Sequence, residues 1–166
     1  MNALVILGHP RPGSFNHAIA ATVVETLHAN GYDVVFHDLC AEGFEPLLPS
    51  GELPEDGAVD PVVRQHCAEL VAADVFVVVH PNWWGQPPAI LKGWLDRVVR
   101  QGVAYEFGPG GAVIGHFQGK KAVVFTTSNT PRDVEISVFH DPLENLWMNV
   151  VFRFCGVEDP YRRNFE

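Results

Sequence analysis

Positive charge is scarce in this chain. Eleven lysines and arginines stand against 20 aspartates and glutamates, a formal net charge of −9. That deficit argues against a nucleic-acid binder, whose affinity comes mainly from cationic groups neutralising phosphates. It also offers no electrostatic attraction to anionic lipid. Cysteine is just as sparse. Cys40, Cys67 and Cys155 are an odd number, widely spaced, with no Cys-x-x-Cys pair. Neither a disulfide framework nor a zinc site is expected, and reduced thiols in the cytoplasm fit this usage.

No apolar run approaches membrane-spanning length, so no membrane insertion is expected. Met1 leads directly into residues 3–7 without a basic segment, which reads as a first strand rather than a signal peptide. There is no Gly-x-Gly-x-x-Gly after that strand and no Walker lysine, which disfavours Rossmann and P-loop chemistry. The eight histidines follow no His-Glu-x-x-His or other ligand spacing, so no metal site is expected.

What the chain does have is 166 residues with 47% hydrophobic and 19% charged content, enough for one globular domain over residues 1–166. Residues 3–7 form a short apolar run ending in Gly8-His9-Pro10, as a strand buried on both faces would. Ile19, Ala20, Val23, Val24 and Leu27 recur at helical spacing until Asn30-Gly31 stops them. Residues 32–37 read as a second strand. Residues 39–60 are rich in Gly, Pro and Glu without periodicity and read as a long loop. Asp60-Pro61 opens a second helix as cap and first-turn proline. Residues 75–79 make a third buried strand. Pro88 opens a third helix with Ile90, Leu91, Trp94, Leu95, Val98 and Val99 on one face.

Residues 108–119 read as a glycine-rich connection. Residues 122–125 make a fourth strand that runs into Thr126-Thr127-Ser128-Asn129. Asp141-Pro142 caps a fourth helix bearing Leu143, Leu146, Trp147, Val150 and Val151. Residues 161–166 begin a fifth strand, short or incomplete. The β-α alternation implies a three-layer α/β fold, a central parallel sheet of order 2-1-3-4-5 with helices on both faces. Ligands of such folds bind beyond the carboxyl ends of the strands, where strand order reverses. The loops at 9–16, 81–86 and 127–131 would meet there.

Ser14-Phe15-Asn16 starts a helix, where free amides and the helix dipole can hold a phosphate; Ser14 as an ordinary N-cap is an equal reading. Trp83 and Trp84 either wall a slot for a planar ligand or pack in a core or dimer contact. Trp94 and Trp147 fall on apolar helix faces and read as packing. Lys92 reads as a helix-surface cation and Arg97 as a partner of Asp96. His140, just before the Asp141-Pro142 cap, either stabilises charge or delivers a proton at the ligand mouth, or bonds the helix start.

These residues resemble a family. Gly8-His9-Pro10 with Ser14-Phe15-Asn16, Pro81 with Trp84, the block Pro88-Ala89-Ile90-Leu91-Lys92-Gly93-Trp94, and Asp96-Arg97-Val98 resemble the NAD(P)H:quinone oxidoreductases of the flavodoxin-like fold. Gly102-Val103-Ala104-Tyr105, Thr126-Thr127 and Phe154-Cys155-Gly156 extend the likeness along the chain. The resemblance implies a bound flavin, FAD or alternatively FMN, with NAD(P)H as co-substrate. It also implies two-electron transfer to a quinone-like acceptor by a ping-pong mechanism, and a homodimer. By the same resemblance His9, Phe15 and Asn16, next to Ser14, face the diphosphate and ribityl region. Pro81, Asn82, Trp83, Trp84, Thr126, Thr127, Ser128 and Asn129 surround the ring, and His140 is the catalytic histidine.

The chain departs from the pattern at Val134, where the family carries a catalytic tyrosine. Ser128-Asn129 replace a Gly-Gly pair. Gly85 replaces an aromatic, which would open the pocket. Alternatives are a flavodoxin-type electron carrier and a redox-regulatory ancillary subunit of a potassium-efflux system.

Overall fold

Five parallel strands make the central sheet in the computed structural model, which describes residues 1–53 and 58–166. In chain order the elements begin with β1 (Asn2–Leu7), α1 (Phe15–Ala29), β2 (Asp33–Asp38), α2 (Pro61–Ala72), β3 (Val75–Pro81) and α3 (Ala89–Val98). A short hairpin of β4 (Tyr105–Phe107) and β5 (Val113–Gly115) follows. Then come β6 (Lys121–Thr127), α4 (Arg132–Ser137), and α5 (Pro142–Glu144), which continues as a π-helix over Asn145–Arg153, and finally β7 (Tyr161–Phe165).

The sheet runs β2-β1-β3-β6-β7, all parallel. With the hairpin strands set aside, this is the expected order 2-1-3-4-5. Period-2 alternation splits the core into two faces. Leu4 and Ile6 of β1, Phe76 and Val78 of β3, and Ala122 and Val124 of β6 pack with α2, α3 and the π-helix. Ala3, Val5, Leu7, Val75, Val77 and Val79 face Ile19 and Ala20 of α1. Every residue of β3 is buried, so its register is fixed from both sides. β7 pairs with β6 at all five of its residues. Exposed Tyr161 and Arg163 suit an edge strand, where polar side chains reach water and deter further pairing.

Three expectations need correction. The connection at 108–119 is not structureless, because it holds β5 and closes the hairpin with β4. Arg97 does not pair with Asp96. It is 3% exposed and its Nη2 donates to Glu52 Oε1 at 2.6 Å, while its Nη1 donates to the Glu45 carbonyl at 2.6 Å. Asp96 takes Lys92 instead, at 2.6 Å. Third, residues 39–60 are a long connection, yet Arg97 and Arg100 pin its Glu45–Glu52 part to α3. The portion of that loop at 54–57 lies outside the described residues.

Gly93 is required by this clamp. A Cβ there would collide with the backbone of Pro46, so α3 can carry only glycine where the loop crosses it.

Candidate active site

The floor of the site is built by β3. His80 at its end is fully buried, and Trp147 of the π-helix donates its indole N–H to His80 Nε2 at 2.8 Å. Because indole only donates, Nε2 is the acceptor and Nδ1 carries the proton, which reaches the Pro81 carbonyl at 2.8 Å. Burial pushes the His80 pKa down to about 4, so the ring stays neutral. Trp147 is thus more than packing: with His80 it fixes the carbonyl where the chain leaves the sheet. Pro81 itself is buried and serves the same scaffold.

Beyond Pro81 the chain makes a tight turn. Trp83 N–H donates to the Gln86 carbonyl at 3.0 Å, and Gln86 N–H returns to Trp83 at 3.1 Å. Trp84 (φ 57°) and Gly85 (φ 69°) both lie in the left-handed region, the backbone of a type I′ turn. That suits Gly85 but strains Trp84, at a cost of ~1–2 kcal/mol. Trp84 is also fully exposed, at 102% of its reference area. Asn82 supports the turn by accepting Gly85 N–H at 2.9 Å and by its own N–H to the Thr127 carbonyl at 2.7 Å. Gly85 does not open the pocket as expected, because a Cβ there would meet the Pro142 ring at 2.6 Å. Pro142 already fills that space.

Opposite this turn, Ser14 caps α1 with Oγ accepting His17 N–H at 3.4 Å. Its Oγ also meets His17 Nδ1 at 2.7 Å, and His17 Nε2 pairs with Asp38 at 3.0 Å. The His9 ring lies 6.2 Å from that of Trp83, so the loops after β1 and β3 converge. Asn16 is 3% exposed, and its Nδ2 donates to Thr127 Oγ1 at 3.0 Å. Its Oδ1 is buried without a hydrogen-bond partner. Phe15 is exposed and packs edge-on against Phe165 of β7 at 5.7 Å. Ser128 Oγ accepts Thr130 N–H, and Asn129 is exposed.

Thr126 requires a correction as a side-chain ligand. It is fully buried, its hydroxyl donating to Asn164 Oδ1 at 2.8 Å and accepting from Arg162 at 2.9 Å. Both capacities are used inside the protein. His140 is exposed at φ 59°, followed by Asp141 at φ 43°. Arg162 of β7 holds this turn, pairing with both carboxylate oxygens of Asp141 and with Glu144. A cavity of about 630 Å³ opens among Asn82, Trp84, Thr130, Glu135, Phe139 and Pro142. His140 sits beside it, and its neighbours Phe139 and Pro142 line it. Two other hollows lie near Glu52 and Arg100.

Arg162 and Glu135 were not legible as site residues. Neither falls in a motif, and each matters only through partners far away in sequence.

Among the described residues one group converges as metal ligands would: His37, Glu42 and His66. The hydrogen bonds read otherwise. Trp94 donates to His66 Nδ1 at 3.1 Å, which leaves the His66 proton on Nε2. A ligating histidine instead donates its second nitrogen outward. Both His37 nitrogens face carboxylates, Glu42 at 3.0 Å and Glu69 at 2.7 Å. The group is a hydrogen-bonded cluster.

With this geometry in hand, the likeness to known proteins is specific. A family described as having a flavodoxin-like fold matches residues 1–161. The chain belongs to this flavodoxin-like family. An uncharacterized NAD(P)H oxidoreductase of Haemophilus influenzae is 36% identical over 96% of this chain and 80% of its own length. NAD(P)H dehydrogenase (quinone) 1 of Rattus norvegicus is 31% identical over 94% of this chain. The chain spans 65% of that rat protein. Among solved structures, Smu.1420 from Streptococcus mutans superposes with a TM-score of 0.82 at 29% identity, covering 99% of this chain and 87% of its own. The loops after β1, β3 and β6 converge at the reversal in strand order, where ligands of open α/β sheets bind.

Proposed function

We propose that this chain is a flavin-dependent NAD(P)H oxidoreductase that passes electrons in pairs to a quinone-like acceptor. The observation that carries the reading is Asn16. A buried amide oxygen left unpaired costs ~1–3 kcal/mol, and here it lies where the α1 N-terminus meets Thr127. A ligand bearing hydroxyl or N–H donors at that point would satisfy it. His9, Ser14, Phe15 and Asn16 would hold the phosphate and ribityl portion, and Asn82 to Trp84 with Thr127 to Asn129 would border the ring. A flavin held by these residues would supply two-electron hydride chemistry between NAD(P)H and a second substrate, for which ping-pong kinetics would be expected.

The chain's own residues then have defined tasks. Trp84 offers a bare indole face to a planar partner. The buried His80, held neutral, keeps the floor from titrating near neutrality. Val134 offers no hydroxyl, so His140, exposed on its left-handed turn, is the residue available to hold charge or a proton. FAD is favoured over FMN by the likeness of His9 and Phe15-Asn16 to FAD-contacting positions. The likeness to the quinone oxidoreductases supports a homodimer. No described helix is long and apolar enough to cross a membrane. The three free thiols favour a cytoplasmic protein.

The test is cofactor loading followed by turnover. The purified protein is incubated with FAD or FMN, desalted, denatured, and the released cofactor identified by chromatography. Retained flavin and quinone-dependent oxidation of NADH or NADPH are expected, with a slower reductive half-reaction in His140→Ala. A protein that stays colourless with both flavins overturns the reading.

A further inference from the structure

Glu135 follows Val134 on α4 and turns inward, only 6% exposed. Both of its carboxylate oxygens accept from Asn82 Nδ2, at 3.1 and 3.2 Å. Asn82 in turn accepts Gly85 N–H at 2.9 Å, so one chain of bonds joins the carboxylate to the turn that displays Trp84. Glu135 and Trp84 line the same 630 Å³ cavity. No lysine or arginine is among the described residues that line it. The nearby Arg162 is committed to Asp141, Glu144 and Thr126.

A neutral amide is therefore the side-chain donor to this carboxylate, inside a cavity otherwise lined by Gly85, Thr130 and the largely apolar Trp84, Val138, Phe139 and Pro142. Such apolar walls lower the local dielectric and lengthen the reach of a charge. The chain's net charge of −9 adds to the same sign. We propose that Glu135 is a specificity-determining residue, making the cavity select planar acceptors that are uncharged or cationic and reject anionic ones. This rests on the cavity being the acceptor site of the function proposed above. The nicotinamide ring is uncharged when reduced and positive when oxidised, so the carboxylate does not oppose it.

The test separates charge from support. Glu135→Gln keeps an acceptor oxygen for Asn82 and removes only the charge. Binding of 2-methyl-1,4-naphthoquinone (neutral) and 1,4-naphthoquinone-2-sulfonate (anionic) is titrated by tryptophan fluorescence on the flavin-loaded protein. Turnover with both is measured in parallel. The unaltered protein is expected to bind the neutral quinone about tenfold more tightly, and Glu135→Gln to shrink that ratio to about twofold. The gain should lie in KM for the sulfonate and should fade with added salt. Val138→Lys, at an exposed position, provides a second route: an ammonium on the same cavity should also favour the sulfonate.

An unchanged ratio in both variants overturns the proposal. Charge-selective binding without turnover of either quinone leaves Glu135 its role and refutes the oxidoreductase function. Turnover with an unchanged ratio does the reverse.

Discussion

Two polar regions of this protein make an instructive pair. One lies under the long 39–60 loop, where Arg97 and Glu52 pair in the interior and His37 is held between Glu42 and Glu69. The other is the mouth formed by the loops after β1, β3 and β6. Under the loop most polar groups are matched to one another: Glu52 takes Arg97, and His66 takes Trp94, while Arg100 Nη1, without a hydrogen bond, still lies 3.9 Å from the Glu52 carboxylate. At the mouth, a buried amide oxygen is unmatched and three non-glycine residues sit at positive φ. Large aromatics there face water. Polar groups set against opposite charges fasten a fold, whereas an unmatched amide beside strained backbone and exposed aromatics marks a candidate binding site.

Variants can break this contrast. The largest effect is expected from Arg97→Met, which leaves Glu52 charged and buried. Loss of ~3–5 kcal/mol is expected, read by urea melts, with KM for the acceptor unmoved in the folded fraction. Since the Arg97 hydrogen bond lowers the Glu52 pKa, this pair contributes fully above the ordinary carboxylate range. That contribution is lost only as pH falls through the depressed value.

His80 comes next. Its folded pKa of about 4 lies below the ordinary histidine value, so the unfolded state binds the proton first. Stability should be complete above pH ~6.5 and fall toward pH 4, at up to ~1.4 kcal/mol per pH unit. Burial holds His66 down to about 4 as well, so His80→Gln should reduce that slope by about half in thermal melts between pH 7 and 5. An unchanged slope would move the titrating group elsewhere.

Asn16→Leu should weaken flavin retention about 10- to 100-fold, with the flavin-free protein losing ~1 kcal/mol for the bond to Thr127. A large stability loss with normal flavin affinity would place Asn16 among the fastenings. The smallest effect is expected at Trp84. Trp84→Asn creates an Asn-Gly pair suited to the turn and should raise stability by ~1 kcal/mol while slowing acceptor turnover. Gained stability with undiminished turnover would show that the exposed indole has no part in the reaction.

Much of the frame was legible in the sequence, because the strands buried on both faces are plain apolar runs. The runs at 3–7 and 75–79 fall within β1 and β3, and the sheet order followed from β-α alternation. The β4–β5 hairpin was not legible. Its strands have three residues each, largely exposed and flanked by glycines, too short for period-2 patterning to register. Arg97 was misassigned because a neighbouring Asp96 was visible, whereas Glu52, 45 positions away, was not. At the site, the loops were placed by topology. Which side chains face inward was not: Thr126 is consumed by Asn164 and Arg162, and Glu135 points into the cavity.

Arg162 gives the architecture an order in time. It reaches back from β7 to Thr126, Asp141 and Glu144, all of which precede it in the chain. As synthesis runs from the amino terminus, each of those residues leaves the ribosome before the guanidinium that fixes it. Strands β1, β2, β3 and β6 can already pair while the turn at His140 and Asp141 still lacks its clasp. The turn at His140 and Asp141 can therefore be clasped only once β7 has been made.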